Sequence, residues 1–311
     1  MATEKPNADE KLTNLAKQLV DLRKNPLLVL DIETVNQMSV IQLEKELRGK
    51  QYADLDVLLH TSGGLIEPAF NIVKLLRKHS KKVEIIVPSY AKSAGTLISF
   101  GADKLLMGAI AELGPLDVQI RETDDDTGST YKSALNGFKA LEQIQLHALD
   151  NLDIATKMII DRTGSGVKMA EAIKLGIAFS GQTSACLYNQ LNPKVIGEYA
   201  RALEVGSRYA VSILTRYLGW GPDKANEVAN KLVYGYPSHG FIIDTLELQQ
   251  LGLPAEEIND TLKEVIDGFR VALIHKDIQG GSFIKLFEYT PPKTATVPKP
   301  VKQNKVITKK K

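Results

Sequence analysis

Two short apolar runs, each emptying into a turn of small residues, constrain this chain more than any other feature. Val57-Leu58-Leu59 leads into His60-Thr61-Ser62-Gly63-Gly64, and Val83-Glu84-Ile85-Ile86-Val87 leads through Pro88 into Ala91-Lys92-Ser93-Ala94-Gly95-Thr96. Between them, Pro68 to His79 puts Ala69, Phe70, Ile72, Val73 and Leu76 on one face and Lys74, Arg77 and Lys78 on another, the pattern of an amphipathic crossover helix. A continuous apolar run suits a parallel strand covered on both faces. Strand, helix, strand at this spacing requires a right-handed βαβ unit, which delivers both turns to the same end of a sheet.

The same alternation extends outward. Leu12, Leu15, Ala16, Leu19 and Leu22 predict an N-terminal helix over Asp9 to Leu22, ended by Asn25-Pro26. Leu27 to Leu30 reads as a buried strand, and Ser39 to Leu47 as a helix capped by Ser39. A short buried helix is expected from Ala94 to Phe100 and a strand from Lys104 to Met107. Arg121 to Thr130, with Asp124, Asp125, Asp126 and Gly128, reads as an exposed turn. Long helical patterns follow at Ser133 to Arg162 and Pro193 to Leu218, with a shorter one at Gly166 to Leu175. Further helices are expected at Gly219 to Val233, Thr245 to Gln250 and Leu262 to His275. The organisation is one α/β domain over 27–290, preceded by a helix and linker over 1–26 and followed by a disordered basic tail over 291–311.

Charge matters mainly for what it excludes. The net charge is +2, but the tail carries seven lysines and no acid, so subtracting those seven leaves about −5 for the rest. Nucleic-acid binding through the folded body is therefore not expected. One cysteine, Cys186, excludes an internal disulfide framework and a cysteine-rich zinc site. The opening residues lack an apolar core run, and no run reaches the roughly 18 apolar residues of a membrane span, so a cytoplasmic protein is expected.

Ser93 sits where a strand should meet a helix, among small residues that permit a sharp turn. It either caps that helix or acts as a nucleophile. An acyl-transfer serine needs donors for a developing oxyanion, and the backbone N–H groups of Gly63, Gly64 and Ala94 are the candidates. His60, His79, His147 and His275 show no metal-ligand spacing, so neither a metal site nor a cofactor is expected. A Walker-type phosphate loop is absent from the sequence.

Taken in order, Thr61-Ser62-Gly63-Gly64, Ala91 to Thr96, Leu113-Gly114-Pro115-Leu116-Asp117-Val118-Gln119, and His239 before Leu251-Gly252-Leu253 resemble the serine dehydrogenase proteinase family. That family stands with the Clp protease and crotonase superfamily, and signal peptide peptidase A is a more distant relative. The resemblance covers roughly Val57 to Leu253. It implies a Clp/crotonase-like ββα spiral with additional long helices, homo-oligomers, and hydrolysis of peptide or protein substrates with Ser93 as nucleophile.

The base departs from the Clp pattern. Where Clp proteases carry their histidine, this chain has Leu113-Gly114-Pro115. His239 falls near the place of their triad aspartate and could serve as base, since imidazole titrates near neutrality. Signal peptide peptidases instead pair serine with a downstream lysine, and Lys132 and Lys139 occupy that interval; such a lysine must be buried to work. Lys92 is a poor base because adjacent side chains on an extended segment point apart. Asp117 either orients His239 or closes a turn. Two other functions fit the same fold: a crotonase-like acyl-CoA enzyme, and a catalytically silent scaffold or regulatory subunit.

Overall fold

The computed structural model describes residues 8–116, 119–124, 128–164, 166–238 and 240–291. The strands are β1 (Leu27–Ile32), β2 (Tyr52–Thr61), β3 (Ser80–Val87), β4 (Tyr90–Ala91), β5 (Lys104–Met107), β6 (Glu112–Leu113), β7 (Gln119–Asp124), β8 (Gly128–Ser133), β9 (Ala255–Glu257) and β10 (Phe283–Phe287). The helices are α1 (Ala8–Arg23), α2 (Gln37–Leu47), α3 (Ile66–His79), α4 (Ala94–Ser99), α5 (Ala134–Thr163), α6 (Met169–Tyr188), α7 (Pro193–Tyr217), α8 (Pro222–Tyr234), α9 (Thr245–Gln250) and α10 (Asp260–Gln279).

The main sheet runs β10-β1-β2-β3-β5-β9, parallel throughout except for β10, which pairs antiparallel with β1. Side chains alternate across it as a pleated sheet requires. Leu28, Leu30, Val57, Leu59, Ile85 and Val87 face a core shared with α2, α3, α4, α7 and α8. Leu27, Val29, Leu58, Ile86 and Leu106 face a second core made with α1 and α10. Covering both faces explains why the strands read as unbroken apolar runs. Among the described residues, no helix is long and apolar enough to cross a membrane.

Helix α1 is built into the body, since Leu12, Ala16 and Leu19 are buried in the second core. Its last residue, Arg23, donates to Asp56 (Nη2 to Oδ1, 3.0 Å) on β2 and to Glu84 (2.7 Å) on β3. Only 2% of the Asp56 side chain is exposed, so its charge depends on the guanidinium. Arg23→Ala should therefore cost about 3–5 kcal/mol in a urea melt, and adding Asp56→Asn should restore a good part of it. Equal losses in the single and double variants would show that the ion pair is not what holds α1.

Three expectations need correction. Helix α2 is capped by Asn36, whose side chain accepts from Met38 N (2.8 Å) and Ser39 N (3.2 Å); Ser39 is the returning half of that capping box. The polar stretch expected as a turn contains the hairpin β7–β8, in register from Gln119↔Ser133 to Asp124↔Gly128. Ile120, Thr123, Thr130 and Tyr131 supply the β-favouring residues that its acidic content masks. The short helix expected at Gly166 to Leu175 runs instead from Met169 to Tyr188. A Cβ at Gly176 would stand 2.4 Å from Thr156 Oγ1 and 3.0 Å from Leu152 Cδ1, so glycine there reflects close packing on α5, not a helix end. The tail beyond Pro291 lies outside the described residues.

Candidate active site

The two turns singled out in the sequence meet. Strand β2 pairs with β4 at Thr61↔Ala91, and Lys92 N donates to Thr61 O (3.0 Å). Gly63 then folds directly onto the serine turn. A Cβ there would lie 3.1 Å from both Lys92 O and Ser93 Cβ and 3.6 Å from Ala94 N, and its φ of +116° is one that glycine adopts without cost. Gly64, at φ +143°, packs on the Val35 backbone, and Val35 N→Gly63 O and Leu65 N→Val35 O (both 2.8 Å) lock the turn.

Ser93 is 5% exposed and has φ 49°, ψ −108°. Few non-glycine residues are found there, and such strain marks sharp strand-to-helix elbows. Ser93 stands at the N-cap position of α4 yet makes no side-chain capping bond, so the capping role is not what it performs. Thr96 Oγ1 secures the turn from behind: it donates to Ala91 O (3.1 Å) and Gly114 O (2.7 Å) and accepts from Gly114 N (3.1 Å).

The donors sort themselves by what they already bond. Gly63 N donates to Thr61 Oγ1 (3.1 Å), so Gly63 contributes closeness in place of the free N–H expected of it. Thr61 thereby stabilises the turn. Among the described residues, no hydrogen bond leaves Gly64 N or Ala94 N. Ala94 N is at the first position of α4, where an N–H has no partner inside its own helix.

The candidate bases are scattered. His239 and Asp117 lie outside the described residues. Nearby, Phe241 N donates to Ser238 O (3.1 Å), and the rings of Tyr236 and Phe241 are 4.8 Å apart. Four residues on, Ile243 bonds both ways with Leu113 (3.0 and 3.1 Å) on β6, and Leu113 pairs with Ala91 two residues before the serine. Lys132 is on β8, opposite Ile120. Lys139 is a half-exposed lysine paired with Glu142 (2.9 Å). Lys92 is bound to Glu112 (2.7 Å) and Leu113 O (3.3 Å), consistent with its exclusion as a base.

Residues 21–166 match the family described as ClpP-like SDH-type serine proteinase. Over these residues the chain is similar to that family. The match includes both turns and the elbow, and the mixed α/β architecture with its parallel sheet and long helices is the ClpP-like fold expected from the motifs. Two uncharacterized proteins of Methanocaldococcus jannaschii are 28% identical over 202 residues and 24% identical over 199 residues. The alignments take in 65% and 64% of this chain but 53% and 51% of theirs, so the chain spans about half the length of these curated relatives. Among solved structures, ClpP1 from Listeria monocytogenes is 12% identical with a TM-score of 0.39, covering 80% of this chain and 99% of its own. The membrane-bound stomatin-specific protease 1510-N, solved as a variant with a substrate peptide, is 18% identical with a TM-score of 0.28, covering 49% and 73%.

On the other face of β2, beside this ClpP-like elbow, lies a polar cluster that the sequence did not suggest. His60, 1% exposed, faces Asp277 with Nε2 3.3 and 3.1 Å from its carboxylate oxygens. Tyr90 OH donates to Asp277 Oδ2 (2.7 Å), and its ring centroid is 4.2 Å from that of His60. Burial pushes the His60 pKa down against the opposing pull of Asp277. Asp31, the register partner of His60 on β1, is 3% exposed. Burial raises its carboxyl from 3.8 to about 7, with Asp277, Asp9 and Glu33 adding to the rise and Lys276 opposing it.

An acid held above its unfolded value favours folding while protonated. The contribution of Asp31 is thus whole below about pH 4 and is lost as the pH rises to 7. Asp31→Asn removes this titration. In chelator-treated protein the stability difference should move in the variant's favour between those limits, by up to about 4 kcal/mol. A difference that stays constant with pH would contradict the buried acid.

Proposed function

We propose that this chain is a serine peptidase in which Ser93 attacks the substrate carbonyl and the N–H groups of Gly64 and Ala94 receive the oxyanion. The observation that carries the reading is the strained, uncapped elbow at Ser93 with Gly63 packed against its Cβ. A strained elbow is retained where it aims a hydroxyl, and N–H groups that donate to no described residue are what a tetrahedral intermediate requires. In the balanced sequence, a base takes the Ser93 proton as Oγ bonds to the carbonyl carbon. The amine then leaves with that proton, and water releases the acyl group by the reverse transfers.

His239 is the base we assign. Its support is the pairing of Ile243, four residues on, with β6, beside the strand that leads to the serine. Lys139 is the weaker rival because its ammonium is half exposed and already paired with a carboxylate. A homo-oligomer is proposed as well. Helices α5 and α6 expose Leu146, Leu149, Ile154, Met158, Ile173 and Ile177, more apolar surface than two packed helices need leave open.

The test is a fluorophosphonate probe with the adduct mapped by mass spectrometry. Labelling at Ser93 that slows sharply in His239→Ala and not in Lys139→Ala is the expected result. Folded protein that neither labels at Ser93 nor cleaves peptides would favour a silent scaffold. Acyl-CoA turnover that survives Ser93→Ala would favour the crotonase-type reaction.

A further inference from the structure

We propose that Asp31, His60 and Asp277 form a binding site for one divalent transition-metal cation of the zinc or manganese class. Each residue offers one ligand atom, and these atoms lie within 4.8 Å of one another, close enough for a single ion to bridge them. The three come from different elements. Asp31 and His60 are neighbours across the β1–β2 ladder, and Asp277 is supplied by the last turn of α10.

The buried partners point to a missing ligand. Asp31, 3% exposed, has its Oδ2 fully covered and without a hydrogen bond among the described residues, while His60, 1% exposed, is held by Asp277 and the Tyr90 backbone. A buried carboxylate oxygen without a partner costs free energy, and a cation offsets that cost directly. The surrounding charge favours the same occupant. Asp9 and Glu33 add to the two ligand carboxylates, while the nearest cation, Lys276, is engaged with Asp9 at 2.9 Å.

One imidazole and two carboxylates form a mixed N/O donor set, which suits zinc or manganese better than calcium. Tyr90 OH on Asp277 would orient that ligand from outside, as metal-bound carboxylates usually require. With its side chain 38% exposed, Asp277 leaves a way in from solvent. A bound ion would replace the direct His60–Asp277 contact and tie α10 to the end of β2, one residue before the Thr61-Ser62-Gly63-Gly64 turn. Its role is to hold that turn. The inference does not depend on the peptidase reading.

The test uses the full chain, stripped with chelator and titrated with zinc chloride or manganese chloride alone by calorimetry. Wild type should bind one equivalent more than Asp277→Asn or Asp31→Asn, and a hundredfold excess over Kd should raise its Tm by about 4 °C. Neither variant should show that rise. If Asp31→Asn does not fold, Asp277→Asn alone decides, because it keeps the shape of a partly exposed side chain. Equal binding by wild type and variants, or no binding by wild type, overturns the proposal and leaves the cluster a hydrogen-bonded network.

Discussion

Ser93→Ala is expected to abolish fluorophosphonate labelling and to lower peptide hydrolysis by roughly 10³- to 10⁶-fold, the span seen when a nucleophile is removed from a site that keeps its oxyanion donors. The same position should report on strain. Ser93 holds φ 49° and ψ −108° without a capping bond in return, so its backbone conformation has to be imposed by its neighbours. Lys92 N→Thr61 O, Gly95 N→Lys92 O and the Thr96 hydroxyl impose it. Ser93→Gly, for which that conformation costs little, should be as inactive as Ser93→Ala yet more stable by about 1 kcal/mol in urea melts. If the alanine variant is the more stable of the two, the elbow is not strained and the serine is held there for some other reason.

Gly64→Ala should unfold or severely weaken the protein, whereas Gly63→Ala should weaken the fold less and damage the reaction. A Cβ at Gly64 would stand 2.4 Å from Val35 O, 2.5 Å from Val35 N and 2.9 Å from Val35 Cα. These are backbone atoms, fixed by the Val35 N→Gly63 O and Leu65 N→Val35 O bonds, so the clash has no soft side chain to absorb it. With the positive φ added, the loss should be roughly 3 kcal/mol or more. At Gly63 the nearest contacts are 3.1 Å, to Lys92 O and Ser93 Cβ, which a shift of a few tenths of an ångström relieves. That shift moves the serine against its donors, so the labelling rate should fall by about 10²-fold, and because φ +116° is itself strained for alanine the urea midpoint should fall too, though less than for Gly64→Ala. A Gly63→Ala protein that labels at the wild-type rate would show that the close approach has no catalytic value.

The elements were legible because their signals are local. The apolar runs at Val57 to Leu59 and Val83 to Val87 could only be strands covered on both faces, and the stripe from Ala69 to Leu76 could only be a helix facing them. Glycine pairs and small residues marked both turns. The errors arose where a local signal had two causes. The helix expected to end at Leu175 continues past Gly176, because glycine there serves packing against α5, which only the neighbour reveals. Ser39 looked like a cap because a capping box has a hydroxyl or amide at each end.

What the sequence by itself determined is the alternation of strand and helix and the delivery of two small-residue turns to one end of a sheet, since both follow from periodicity and the handedness of βαβ units. Which N–H the glycine turn commits was decided by tertiary structure, because the Thr61 hydroxyl occupies Gly63 N only once the turn is closed. The cluster of Asp31, His60 and Asp277 was decided there too. Its members are separated by up to 246 positions and share no spacing, and only the β1–β2 register and the docking of α10 bring them within one ion's reach. The elbow at Ser93 belongs to both levels: its small neighbours permit the turn, and the close approach of Gly63 fixes it in place.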